Sequence, residues 1–235
     1  MRVACICLTA DRQQQTDRAV RSFLAQTYRG QSELVIVDSG DAPYSLPLCG
    51  GTDRQDVCLY RCTRDPFVTL GHLRNLANGC THSQADIILH WDSDDWSHPE
   101  RIKQQVVHLV EESNCKAPAY RGKSAECVGY SELLIWDEMA QESWWYHSDR
   151  LALPGTSLAY WRTIWQCWPF PLIDRGEDTL WQRGLRVASM PGMIGDEPAM
   201  IATCHAGNNM RVMRDSAQWK RSPEWDAYCK EKLAL

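Results

Sequence analysis

Three aspartates fall within four residues at Asp92-Ser93-Asp94-Asp95, directly after the apolar run Ile87-Ile88-Leu89. Carboxylates this close repel one another, and a cation held among them offsets that cost. Hard divalent ions such as Mg²⁺ and Mn²⁺ take oxygen ligands, often one or two carboxylates together with the phosphates of a substrate. The competing role is plainer. Ser97-His98-Pro99-Glu100 follows at once and reads as the opening of a helix, so the aspartates could serve as a solvated, helix-capping turn. Late in the chain Gly176-Glu177-Asp178 forms a second acidic group, and His205 stands in Thr203-Cys204-His205-Ala206-Gly207. Acidic residues suit the first turn of a helix, while a carboxylate delivered by a loop can act as a general base. Imidazole is a reasonable Mn²⁺ ligand and a poorer one for Mg²⁺.

Strands and helices must alternate to place these groups. Val3 to Leu8 reads as a first strand, and Val20, Phe23 and Leu24 carry the spacing of a helix over Arg18 to Gln26. Leu34-Val35-Ile36-Val37 is a buried-type strand that exits at Asp38-Ser39-Gly40-Asp41. Ala42 to Asp56 should be a loop and Val57 to Arg61 a third, shorter strand. A second helix runs through Leu70, Leu73, Leu76 and Ala77; Ile87 to His90 forms the next strand, and Ile102, Val106, Leu109 and Val110 mark an amphipathic helix behind Pro99. This alternation predicts a mostly parallel sheet with helices on both faces. Ligands of such sheets sit beyond the carboxyl ends of the strands, which puts Asp11, Asp38 and the cluster from Asp92 to Asp95 on one edge. The second half is less regular: strands over Val128 to Ile135 and Leu158 to Trp161, a helix over Asp178 to Arg186, and a charged surface tail after Asn209.

Composition narrows the function. The 235 residues suffice for one sizeable domain. A net charge of -5 argues against a nucleic-acid binder that works through a basic surface, and no apolar run reaches the length of a membrane span. The 11 cysteines include no C-x-x-C pair, which predicts free thiols in a reducing, cytoplasmic setting rather than a zinc site. There are also 11 tryptophans. Trp144, Trp145, Tyr146, Trp161, Trp165 and Trp168 gather ahead of Asp178, where most serve as core and one or two could stack on a sugar face.

Six stretches, in order, resemble the family 2 inverting glycosyltransferases of the GT-A fold. They are Val3 to Thr9 with Asp11-Arg12; Ser22-Phe23-Leu24-Ala25-Gln26-Thr27-Tyr28; Val35-Ile36-Val37-Asp38-Ser39-Gly40; Gly71-His72-Leu73-Arg74-Asn75, with leucine where the family usually has alanine; Asp92-Ser93-Asp94-Asp95; and Gly176-Glu177-Asp178. The resemblance is close over residues 1–110 and looser over 150–210. It implies a single Rossmann-like α/β domain, with residues 1–110 as the donor half and 111–235 as the acceptor and base half.

The implied reaction moves a sugar from a nucleotide diphosphate donor, expected to be a UDP-sugar, to a glycan or other hydroxyl acceptor with Mn²⁺ or Mg²⁺ as cofactor. On this resemblance Thr9, Asp11, Arg12, Asp38, Arg74 and Asp92 bind the donor, Asp38 through the base and Arg74 through a phosphate or through Asp92. Asp94, Asp95 and His205 hold the metal, with the directly bonded aspartate left open. Asp178 is the general base, and Glu177 shares that role or binds the acceptor. Two rivals remain: a nucleotidyltransferase, disfavoured because Thr9-Ala10-Asp11-Arg12 has no glycine, and a non-catalytic carbohydrate- or nucleotide-binding relative.

Overall fold

The computed structural model describes residues 1–47, 55–63, 65, 67–114, 125–148, 152–206 and 211–233. Its first half follows the predicted alternation: β1 (Val3–Thr9), α1 (Gln13–Leu24), β2 (Ser32–Asp38), β3 (Gln55–Arg61), α2 (Leu70–Cys80), β4 (Ile87–His90), the two-residue β5 (Trp96–Ser97) and α3 (Arg101–Asn114). β1 lies between β2 and β4, β2 pairs with β3, and all these pairings are parallel. Strands covered on both faces show no polar alternation, and residues 3–7 of β1 are wholly apolar and fully buried. Val3, Cys5 and Cys7 face the cluster containing Phe23 of α1 and Ile102 of α3. Ala4 and Ile6 face the opposite cluster, with Ala77 of α2.

The second half adds β6 (Cys127–Tyr130), β7 (Glu132–Asp137), β8 (Glu142–His147), β9 (Ala159–Trp161), α4 (Arg162–Cys167), α5 (Glu177–Gln182), β10 (Val187–Met190), β11 (Met193–Ile194), β12 (Glu197–Pro198), β13 (Met200–Cys204), β14 (Trp219–Arg221) and α6 (Asp226–Leu233). The main sheet runs β10-β6-β9-β4-β1-β2-β3, with β9 antiparallel to both neighbours. A second sheet runs β14-β8-β7-β13-β5. The acidic cluster therefore occupies the passage between the sheets, after β4 of one and before β5 of the other. This is one mixed α/β domain.

Several sequence expectations shift. The third strand is not short: β3 has seven residues and pairs along all of β2. The run Val128 to Ile135 is two strands, because the chain leaves the first sheet at Ser131 and joins the second. The helix expected over 178–186 ends at Gln182. Nor is the tail after Asn209 merely surface: Cys229 and Leu233 of α6 are buried with Leu134, Trp136 and Ile201. The expected loop from Ala42 lies partly outside the described residues, and its last two positions belong to β3. All nine described cysteines are free thiols. No described helix is long and apolar enough to cross a membrane.

Candidate active site

Two loops close over the edge formed by β1 and β2. Thr9 is buried, and its hydroxyl donates to Thr16 Oγ1 at 2.7 Å. The Thr16 hydroxyl donates in turn to Arg12 O, which ties the strand end to the start of α1. Asp11 has a positive φ of 55° and accepts from Ala42 N at 2.9 Å; aspartate tolerates this region better than most side chains. A Cβ on Gly40 would lie 2.4 Å from Asp11 N, so the two loops can meet only at a glycine. Asp38 reaches the predicted edge but is only 1% exposed. Its oxygens accept from Gly40 N at 2.9 Å, from Tyr44 N at 2.8 Å and from Arg61. The protein's own donors therefore fill the carboxylate that was expected to read a nucleobase.

The cluster after β4 divides its work. Asp92 accepts from Arg74 Nη1 at 3.2 Å. Asp94 Oδ2 accepts from Arg12 Nη1 and from His205 Nε2, each at 2.9 Å. Burial opposes ionisation of Asp94, but His205 and Arg12 outweigh it and hold the carboxyl below its ordinary range. Asp95 points inward: one oxygen accepts from Thr156 Oγ1 at 2.6 Å, the other from Thr203 N at 3.0 Å. Burial, then the charges of Asp94 and Asp92, push its carboxyl up against those two bonds. The share of that push that comes from Asp94 and Asp92 is the clustering cost a cation would offset. The Asp94 carbonyl accepts from Thr203 Oγ1 and Arg18 Nη2. β13 thus fixes the cluster through Thr203 and delivers His205 just beyond its own end.

The residues present fit a divalent ion. An octahedral Mg²⁺ or Mn²⁺ with bonds of about 2.1 Å separates adjacent ligands by about 3 Å, and His205 Nε2 lies 2.9 Å from Asp94 Oδ2. Binding would displace the imidazole proton now shared between them. Among the described residues, no three His, Cys, Asp or Glu side chains are placed to hold a metal ion together. Two protein ligands, with phosphate oxygens and water completing the shell, are typical of such ions.

α2 joins this cluster to the second acidic group. Its buried face is Gly71, Arg74, Ala77 and Asn78, more polar than the leucines that announced the helix. Leu76 is 41% exposed. Arg74 contacts Asp92 on one side and Glu177 Oε1, at 3.5 Å, on the other. Burial works against its charge, yet Asp92, Glu177 and Asp178 prevail and raise its pKa. Burial pushes Glu177 up, with Arg74 resisting. Glu177 is 2% exposed and committed to Arg74, whereas Asp178 is half-buried, its Oδ1 accepting from Thr179 N at 2.7 Å.

The same helix grips the loop that leads into α5. Gly71 N donates to Ile173 O, Leu70 N to Asp174 Oδ1, and Asn75 bonds both the N–H and the carbonyl of Phe170. A Cβ on Gly71 would sit 1.9 Å from Pro171 O. Gly71→Ala is therefore expected to cost about 1–3 kcal/mol through overpacking, read as a lower urea midpoint. An unchanged midpoint would mean that the 171–173 backbone moves aside freely.

Other histidines and tryptophans have local roles. His72 completes a capping box with Thr69, and His98 Nδ1 accepts from Glu100 N at the start of α3. His90 is fully buried; burial and then Arg74 lower its pKa well below the ordinary value. Its Nδ1–H donates to Gly155 O at 2.7 Å. Trp165 Nε1 donates to Asn75 Oδ1, and Trp168 is 59% exposed. Sequence reasoning missed Thr156, Thr203 and Arg18. Their partners lie 61, 108 and 76 residues away, and no spacing signals such bonds.

Residues 5–158 match the family described as glycosyl transferase family 2. No curated protein matches the chain. Residues 1–349 of TarS from S. aureus, solved in complex with UDP-GlcNAc, share 16% identity over 90% of this chain and 62% of that one, with a TM-score of 0.59. The mannosyltransferase PcManGT from Pyrobaculum calidifontis, in complex with GDP-Man and Mn²⁺, shares 15% identity over 86% of this chain and 56% of that one, with a TM-score of 0.56. The chain thus spans less than two thirds of either structure. Likeness at this identity speaks to the fold, which is GT-A.

Proposed function

Because this chain belongs to glycosyl transferase family 2, we propose that it moves a sugar from a nucleotide diphosphate donor to an acceptor hydroxyl, with inversion at the anomeric carbon. The observation that carries this reading is Arg74. One buried guanidinium links the Asp92 side of the site to the Glu177–Asp178 side, so the two acidic groups form one site. Asp94 and His205 hold the divalent ion, Mn²⁺ before Mg²⁺ because of the imidazole. When bound, that ion neutralises charge developing on the departing diphosphate. Asp95, filled by Thr156 and Thr203, braces the cluster from behind. Arg12 stands beside Asp94 and serves the diphosphate, and Asp11 lines the nucleoside side. Asp38 acts through the loop it organises.

Asp178 accepts the proton of the attacking hydroxyl. Glu177 keeps Arg74 charged and in place. Residues 1–110 form the donor half, and 111–235 bring the base and the acceptor surface. The donor is a UDP-sugar, in line with the UDP-GlcNAc and UDP complexes of the S. aureus TarS structures.

The test is thermal melting with UDP and GDP, with and without Mn²⁺. Ligand at about a hundred times its Kd adds about 2.7 kcal/mol, or a rise of about 5–10 °C for a chain of this size. The rise is expected with UDP and Mn²⁺ together and is expected to vanish in Asp94→Ala. No rise with any nucleotide, with or without metal, would remove the transferase reading and favour a non-catalytic one.

A further inference from the structure

Gly155 opens the helical turn Gly155–Ser157 that leads into β9. Its backbone does not call for glycine: among the described glycines only Gly176 and Gly195 have positive φ. Space does. A Cβ on Gly155 would lie 1.8 Å from Asp178 Oδ2 and 2.7 Å from its Cγ. The Asp178 carboxylate rests on the one face of residue 155 that any other side chain would fill.

That face is held firmly. His90 Nδ1 donates to Gly155 O at 2.7 Å, and Arg101 Nη2 to Thr156 O at 2.8 Å. The Thr156 hydroxyl is bound to Asp95, and Ser157 Oγ donates to Pro154 O at 2.7 Å. From the other side, Gln182 of α5 exchanges two 2.9 Å hydrogen bonds with the backbone of Leu153. Trp181 stacks on Phe170 with ring centroids 4.4 Å apart. The turn and the helix are both anchored, whereas the carboxylate ends a half-buried side chain, so the added atom displaces the carboxylate first. A small misplacement of a catalytic group can cost a large part of the rate.

We propose that Gly155 is a positioning residue for Asp178: its bare α-carbon is the wall that fixes where the carboxylate meets the acceptor's proton. The same turn reaches Asp95 through Thr156, so one segment sets the base and braces the metal-side cluster. This inference rests on the reading of Asp178 as the base, and the two are separable by experiment.

Three variants decide it: Gly155→Ala, Asp178→Ala and the double variant, each followed by thermal melting, with a crystal structure of Gly155→Ala. Gly155→Ala is expected to melt several degrees below the wild type, and the double variant is expected to regain most of that loss, because the collision is gone. In the crystal, Asp178 should be swung away from an unmoved 154–157 backbone. UDP release from UDP-GlcNAc with Mn²⁺, with water supplying the hydroxyl that takes the sugar, should fall about 100-fold or more in Gly155→Ala, as far as in Asp178→Ala, with KM for the donor unchanged. A double variant no more stable than Gly155→Ala, or an unmoved Asp178 beside a shifted turn, would overturn the proposal. If Gly155→Ala does not fold, the double variant decides alone: folding supports the collision and failure overturns it. Should Asp178→Ala release UDP at the wild-type rate while the stability pattern holds, the base assignment falls, and with it any catalytic meaning of the wall.

Discussion

Asp178→Asn is expected to lower kcat about 10²–10⁴-fold, the range spanned by general acid–base catalysis, and to keep the melting rise with UDP and Mn²⁺. Asparagine has almost the shape of aspartate. Its oxygen can still accept from Thr179 N–H, the bond the carboxylate makes at 2.7 Å, and it adds no heavy atom toward Gly155. What disappears is a group able to take a proton. Glu177 cannot replace it, being 2% exposed and turned to Arg74. The measurement is kcat and donor KM together with the melting curves. A kcat within a few fold of wild type would move the base elsewhere, and loss of the melting rise would make Asp178 a donor-binding residue.

Arg74→Met is expected to be the most destabilising single change in the site. Removing one partner of a buried ion pair costs about 3–5 kcal/mol, because the remaining charge stays buried and unpaired. At about 2–4 °C per kcal/mol, melting should fall by about 6–20 °C. The pH dependence has a definite sign. Burial already raises the Glu177 pKa in the folded chain, and Arg74 is what limits the rise. A carboxyl with a raised folded pKa favours folding when protonated and disfavours it as pH rises through the unfolded and then the folded value. Loss of Arg74 raises Glu177 further, so the deficit of the variant should be larger at pH 7 than at pH 5. Urea unfolding at both values checks this. Equal deficits would show that the loss comes from packing rather than charge. Adding Glu177→Gln should recover part of the stability at pH 7.

The parts of the fold that could be read from the sequence are those in which neighbouring residues carry the information. β1, β2 and β4 are apolar runs that end in polar residues, and parallel pairing does place Asp11, Asp38 and Asp92 at one edge. Gly71, Arg74 and Asn75 were visible as a motif, and the pairing of Arg74 with Asp92, 18 residues on, was expected; the tasks of Gly71 and Asn75 were not, their partners lying 102 and 95 residues away. The second half was harder because its strands change sheets. Nothing in the apolar run around Ser131 marks the point where one sheet is left for another, since a strand's pattern reports burial and not its partner. Asp38 and Asp95 show the same limit within the site. A lone aspartate at a strand end looks ligand-facing until the fold shows backbone amides and hydroxyls occupying its oxygens. Gly155 is invisible for a related reason: its requirement comes from a carboxylate 23 positions later, brought there by α5.

Arg18 has a reach that extends past the site. One of its terminal nitrogens donates to Asp94 O and the other to Leu233 O, in the last turn of α6. The carboxyl-terminal helix is thereby a mechanical neighbour of the metal-side loop, although more than a hundred residues separate them in sequence. A tag, a fused module or a binding partner that tugs on α6 would pull on the side chain that props up Asp94. With Asp94 proposed as a metal ligand, that helix becomes a handle on the cation, and an engineer seeking to tune metal affinity without touching a ligand would begin there.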